Sequence, residues 1–179
     1  EDGRRVDGEF IYTYPLKMAQ AEGYFKPIHF EAVFGLDQAD ADQAIAEKLG
    51  EVLQADLDAG LNHLAMARCS TIERAKKLHQ LYSVLFPDFR PVIVHSQQPA
   101  RDRRANLDAL RRFESRIIVC VDMLGEGFDL PELKIAGLHD THKSIAVTIQ
   151  FVGRFTRQDP TLGDATVIAN TGVDDIDRS

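Results

Sequence analysis

From about Asn62 onward, short apolar runs rich in β-branched residues alternate with longer stretches whose apolar residues recur every three or four positions. That alternation is the pattern of βαβ units and a parallel sheet. The runs predict strands at His63 to Ala67, Pro91 to His95, Arg116 to Val121, Lys134 to Leu138 and Ala165 to Ala169. Each is short and apolar on both alternating faces, as expected where helices cover both sides of a sheet. Between them, Thr71 to Phe86 places Ile72, Ala75, Leu78, Leu81, Tyr82 and Leu85 on one helical face, with Ser70 or Thr71 set to cap the first turn. Pro99 to Phe113 predicts another helix, with Leu107, Leu110 and Phe113 inward, and Ser144 to Phe155 predicts the last. Upstream, Asp40 to Ala59 reads as a long amphipathic helix that buries Ile45, Leu49, Val52 and Leu53 and ends at Gly60. Phe10 to Tyr14 and Ile28 to Phe34 read as strand or extended connector around a short helix at Leu16 to Ala21. The expected fold is α/β, a doubly wound and mostly parallel sheet with helices on both faces, in a single domain.

In such sheets ligands collect at the carboxyl ends of the strands, where loops gather and helix N-termini present free N–H groups. The loops to read are therefore Arg68 to Ser70, Ser96 to Gln98, Asp122 to Leu130, His139 to Lys143 and Asn170 to Gly172. Gln150-Phe151-Val152-Gly153-Arg154-Phe155-Thr156-Arg157 sets two arginines three apart at the end of an apolar helix. A guanidinium is planar, always ionised and donates as a fork, which suits the charge of a transferring phosphoryl group. The same two cations would also complete a helix dipole, and those eight residues leave both readings open. Ile117 to Leu130 runs from a buried strand through Asp122 into Gly125-Glu126-Gly127-Phe128-Asp129. Two glycines let backbone approach a ligand, Asp129 can accept from a sugar hydroxyl, and Asp122 can order the turn; a plain connecting turn fits as well. It is not a dinucleotide fingerprint, because the third glycine is missing.

In this order, the segments resemble the C-terminal helicase domain of superfamily 2, most like the DEAD/DEAH branch related to the helicase subunits of type I and III restriction enzymes. Ala65 to Leu78 is similar to motif IV, and His95-Ser96 with Arg101 and Arg103 resembles the His-Gly segment that follows, with serine where glycine is common. Val121 to Pro131 resembles motif V, and Gln150 to Arg157 resembles motif VI, QxxGRxxR. Tyr12 to Phe30 looks like the connector leaving the first RecA-like domain; its aromatics would equally form a small satellite core. The resemblance implies a RecA-like fold, with residues 1–36 as connector and leading strands and 37–179 as the C-terminal domain. It implies that Arg154 and Arg157 are arginine fingers for an ATP γ-phosphate held on a partner domain, with Gln150 as its sensor. Gly125, Glu126, Gly127 and Asp129 would face the nucleotide, while Arg68, Ser96 and Asp122 would touch the sugar-phosphate backbone of one strand, holding it without reading bases. Val121 stands where many DEAD-box proteins have threonine, which removes a hydroxyl contact and sets the expectation of DNA over RNA.

No glycine is followed by lysine and no Asp-Glu dipeptide occurs, so neither a phosphate loop nor the adjoining magnesium-binding acids are in this chain. The expectation is an ATP-dependent enzyme in the full-length protein, with ATP and Mg²⁺ held by the missing N-terminal domain, and an inactive fragment. The alternatives are a non-catalytic interaction module that kept the fold, or an unrelated small-molecule enzyme, which lacks a nucleophile elbow or convincing acid-base pair. The chain starts at Glu1 with polar, glycine-containing residues to Glu9, which reads as a linker in a piece of something longer.

With 179 residues and 44% apolar composition, the chain can bury one sizeable core. No run of about twenty apolar residues, signal-like start or N-glycosylation triplet is present, so a soluble, cytoplasmic protein is expected. A net charge of −7 argues against holding nucleic acid by global charge. Arg101 to Arg116, with six arginines against Asp102, Asp108 and Glu114, is locally basic and reads as a solvated face or a phosphate track. Cys69 and Cys120 stand apart and outside any CxxC pair, which predicts buried thiols. His139-Asp140-Thr141-His142 lacks a third ligand, so no metal site is expected.

Overall fold

A computed structural model describes residues 28–121, 130–140 and 160–170. Six strands form one sheet: β1 (Ile28–Val33), β2 (Leu64–Cys69), β3 (Val92–Val94), β4 (Ile117–Val121), β5 (Leu133–Leu138) and β6 (Ala165–Asn170). Their order across the sheet is β1-β6-β5-β2-β4-β3, and every pairing is parallel. The helices are α1 (Gln38–Asp58), α2 (Ile72–Leu85) and α3 (Ala100–Arg111). Among the described residues, no helix is long and apolar enough to cross a membrane.

Each predicted strand from Asn62 onward is present to within two residues at its ends. Where the bounds differ, the cause is local. Pro91 stays outside β3, its carbonyl taking a hydrogen bond from the His79 ring (2.9 Å), and His95 starts a turn in which its N–H donates to Gln98 Oε1 (3.1 Å). Helix α1 begins two residues earlier than its apolar period suggests, because the Asp37 side chain accepts from Asp40 N–H (2.9 Å). It runs out at Gly60, whose φ of +83° a side chain would disfavour. Thr71, not Ser70, caps α2 by accepting from Arg74 N–H (3.2 Å). The segments at Phe10 to Tyr14, Leu16 to Ala21 and Ser144 to Phe155 lie outside the described residues.

Alternation along β2 explains the two-sided core. Ala65, Ala67 and Cys69 face α1 and α2, where Ile45, Leu49, Leu53, Ala75, Leu78 and Tyr82 pack with Val119, Ile135 and Ile168. Leu64 and Met66 face the other way and pack with Val94, Ile118, Cys120 and Leu110 of α3. Helices therefore cover both faces, and the sheet meets water on neither around β2. Both cysteines are buried and neither is in a disulfide. Small residues set the helix spacing: a Cβ on Gly137 of β5 would lie 3.0 Å from both Ile45 and Leu49. Leu49 is fully buried at that contact, so Leu49→Ala is expected to cost about 2–5 kcal/mol, read from the urea midpoint at unchanged slope.

The chain order creates a switch point beside β2. After β2 the chain builds β3 and then β4 on one side, and from β4 it crosses to the other side for β5 and β6. Loops leaving β4 and β5 thus emerge on opposite flanks of the β2 carboxyl end, the crevice where open α/β sheets bind ligands.

Candidate functional site

At that carboxyl edge the sequence expectations meet the structure unevenly. Gln150, Arg154, Arg157, Gly125, Glu126, Gly127, Asp129 and Asp122 lie outside the described residues, as does His142. What the fold does fix is where their segments depart: residues 122–129 follow Val121 at the end of β4, and residues 141–159 follow Asp140 just past β5. Val121 pairs with Cys69, and Leu138 with Arg68, so both departures flank the end of β2. Arg68 is within β2 and only 4% exposed; by alternation its side chain takes the Leu64 and Met66 side of the sheet. Ser96 is exposed in the turn after β3, and its carbonyl accepts from Arg103 Nη1 (3.3 Å). Beside it the His95 ring is buried, and burial together with the nearby Lys76 charge holds its pKa below the usual histidine value.

Among the described residues, the most heavily bonded part of this edge is a polar network that sequence reasoning does not single out. Arg74, in the first turn of α2, donates Nη1 to Asp42 Oδ2 (2.6 Å) and Nη2 to Asp42 Oδ1 (2.9 Å), a bidentate fork to a carboxylate on α1. The same guanidinium reaches Asp140 Oδ1 from Nε (3.1 Å) and Nη2 (2.9 Å), and the His139 carbonyl from Nη2 (3.2 Å). The other Asp140 oxygen accepts from Ser70 N–H (2.6 Å) and Ser70 Oγ (2.8 Å). His139, fully buried, sits between Asp42 Oδ1 (2.8 Å from Nδ1) and the Tyr82 hydroxyl (2.9 Å from Nε2). Gln38 Nε2 closes the ring onto Asp42 Oδ1 (3.2 Å) and the His139 carbonyl (3.3 Å). The network ties the N-terminal turns of α1 and α2 to the ends of β2 and β5.

Its electrostatics follow from the pairing. Burial alone would raise the Asp42 pKa, but the hydrogen bonds from His139 and Arg74, with their charge, lower it from 3.8 to about 2. For Asp140 burial also acts upward and is outweighed by the Ser70 bonds and Arg74, so the carboxylate is held below its usual range. Arg74 is pushed above its ordinary value chiefly by its bonds to Asp42. Burial raises the Tyr82 phenol well above its normal value, with the Asp42 charge acting the same way, so it remains a neutral donor or acceptor to His139. Among the described residues, no group of three or more histidines, cysteines or carboxylates is placed to hold a metal ion.

The arginine-rich stretch divides in two. Helix α3 runs back from the carboxyl edge, so Arg101, Arg103 and Arg104 lie in its first turns near Ser96. Arg111 and Arg112 lie at its far end, paired with Asp108 (2.9 Å) and Glu114 (2.9 Å). Arg116 is at that far end too, bonded to Asn62 and stacked on Phe113 at 4.8 Å. Residues 105–110 lie between the two groups, so Arg104 and Arg111 stand about 10 Å apart along the helix axis.

Comparison with known proteins places this edge in context. Residues 45–159 match the helicase conserved C-terminal domain. The chain belongs to this helicase C-terminal domain family, and its fold is the RecA-like α/β fold of superfamily 2 helicases. An ATP-dependent RNA helicase, dbp-8 of Neurospora crassa, is 35% identical over 89 residues, covering 50% of this chain and 14% of that protein. The yeast DEAD-box splicing factor Prp28 superposes with a TM-score of 0.61 at 15% identity, covering 81% of this chain and 29% of that one. The Mycobacterium smegmatis helicase Lhr, bound to ssDNA and AMP-PNP, gives 0.60 at 16% identity, covering 81% and 19%. The chain thus spans less than a third of each of these relatives.

Proposed function

We propose that the chain is the second motor lobe of an ATP-dependent nucleic-acid helicase or translocase, working against an N-terminal RecA-like lobe of the same protein. In this reading residues 1–36 lead in from that lobe and contribute β1 to the sheet, and residues 37–179 form the lobe proper. The supporting observation is the family match over residues 45–159, together with the departure of both motif-bearing segments from the two flanks of β2.

Arg154 and Arg157 then serve the γ-phosphate of ATP across the interlobe cleft, Gln150 senses it, and Gly125, Glu126, Gly127 and Asp129 face the nucleotide. Guanidinium groups suit this because the transferring phosphoryl group spreads negative charge over its equatorial oxygens. The residues of this chain do not fit a metal-bound triphosphate by themselves. The sequence has no Gly-Lys step and no Asp-Glu dipeptide. Mg²⁺ and the phosphates therefore belong to the partner lobe, and the isolated chain is inactive.

Ser96 and Asp122 touch the backbone of one nucleic-acid strand, whereas Arg68, which the resemblance also assigned to that contact, is only 4% exposed within β2 and too buried to make it. The preference for DNA over RNA gains no support from the relatives, which include an RNA helicase and a helicase held with ssDNA. Holding the strand by its phosphates predicts a salt effect. Replacing Arg101, Arg103 and Arg104 by alanine should weaken single-strand binding and flatten log affinity against log salt by roughly 0.7 for each phosphate that is no longer neutralised. Replacing Arg111 and Arg112, already ion-paired at the far end of α3, should leave that slope unchanged.

The test of the whole reading is ATP hydrolysis by the protein that contains this chain, with and without single-stranded nucleic acid. Stimulation by the strand, and none in the 179-residue chain alone, is the expected result. No hydrolysis under either condition would favour a non-catalytic RecA-like interaction module.

A further inference from the structure

The parallel ladder between β2 and β5 stops at Arg68 and Leu138, with His139 N–H to the Arg68 carbonyl (3.0 Å) as its final backbone bond. One residue later the chain enters the segment that carries Gln150, Arg154 and Arg157. Asp140, the last described residue before it, is held by side-chain bonds. The two carboxylate oxygens of Asp140 are engaged by Ser70 and Arg74, that is, by the loop after β2 and the first turn of α2. Arg74 is itself held in orientation by the Asp42 fork, and Asp42 by His139 and Gln38.

A half-buried ion pair is a weak source of net stability, because desolvation opposes the attraction. What a guanidinium fork shared between two carboxylates supplies is fixed direction and distance. We infer that Arg74 is a positioning residue, which through Asp140 sets the exit of β5, and so the base of the arginine-bearing segment, relative to the end of β2. This rests on the motor reading above. Arg74 touches neither nucleotide nor nucleic acid in this inference; it acts through Asp140.

The test uses the intact protein. Lysine keeps the charge of Arg74 but cannot bind Asp42 as a fork while also reaching Asp140. Arg74→Lys is expected to lower strand-stimulated kcat on the order of tenfold or more, since small misplacement of a catalytic group is costly. KM for ATP and affinity for single strands should change by less than about threefold, because neither ground-state contact is touched. Combined with Arg154→Lys, it should cause no further loss, the signature of two residues acting at one point. If Arg74→Lys does not fold, Asp140→Asn leaves the Asp42, His139 and Tyr82 bonds in place and carries the same expectations. A folded variant with unchanged kcat, or losses that multiply in the double variant, overturns the inference. If instead Arg154→Ala leaves hydrolysis unaltered, the motor reading itself falls, and this inference with it.

Discussion

Arg154→Ala in the intact protein is expected to reduce strand-stimulated ATP hydrolysis on the order of a thousandfold while leaving the folded state nearly as stable as before. The size follows from what an arginine contributes when it meets a phosphoryl group in transit: it is worth about 10³-fold or more, because its charge is fixed in place before the reaction begins. The competing role for this residue, a cation completing a helix dipole, predicts something quite different. It gives a stability loss of about 0.3–1 kcal/mol and no kinetic effect beyond it. Arg154→Lys separates the two further, since lysine serves a helix end as well as arginine does but loses the planar fork. A kinetic defect nearly as deep in the lysine variant, with its denaturation midpoint unmoved, is the outcome expected of a finger. Hydrolysis within about twofold of wild type in both variants would remove the assignment, since a finger is worth far more than that.

The strands and helices are legible in the sequence because each carries its period on its own residues. Leu64 to Cys69 is apolar nearly throughout, which only a strand covered on both faces tolerates, and it proves to be the central β2. Ala75, Leu78 and Tyr82 repeat at helical spacing and are the buried face of α2. The strand order is not legible, because it depends on which crossover passes over β2 rather than on any single segment. The polar network is hidden too, although it leaves a trace. Asp42 stands three residues before Ile45 and seven before Leu49, on the buried stripe of α1, and Arg74 stands four before Leu78 on that of α2. A single acid and a single base, each on the apolar stripe of neighbouring helices, is the signature of a buried pair. His139-Asp140 invites comparison with half of a metal site, which draws attention away from carboxylate, guanidinium and imidazole partners that come from other elements. The motif V and VI residues are legible by resemblance alone, and residues 122–129 of the first and all of the second lie outside the described residues.

A large stability effect is expected from Asp42→Ala. The side chain of Asp42 is 12% exposed and accepts from Arg74, His139 and Gln38, so its removal leaves a guanidinium and a buried imidazole facing each other with no acceptor between them. Breaking one side of such a pair costs about 3–5 kcal/mol, and access of water to Arg74, 21% exposed, places the expectation toward the lower end. Asp42→Asn keeps an acceptor oxygen and the shape, so it should cost less, about 1–2 kcal/mol. The pH dependence tests the charge itself. Because the folded pKa of Asp42 is lowered from 3.8 to about 2, its contribution is full above pH 3.8 and disappears as pH falls through 2. That contribution is worth about 2 kcal/mol, so wild type should lose stability on this acid limb more steeply than Asp42→Asn by about that amount, read from urea midpoints taken at several pH values across the window. The asparagine variant should retain a shallower slope of the same sign, because the Asp140 pKa is also lowered in the folded state. Parallel acid limbs in the two proteins would mean that Asp42 is not the ionised centre of the network, and that Arg74 is held at the end of β5 by Asp140 alone.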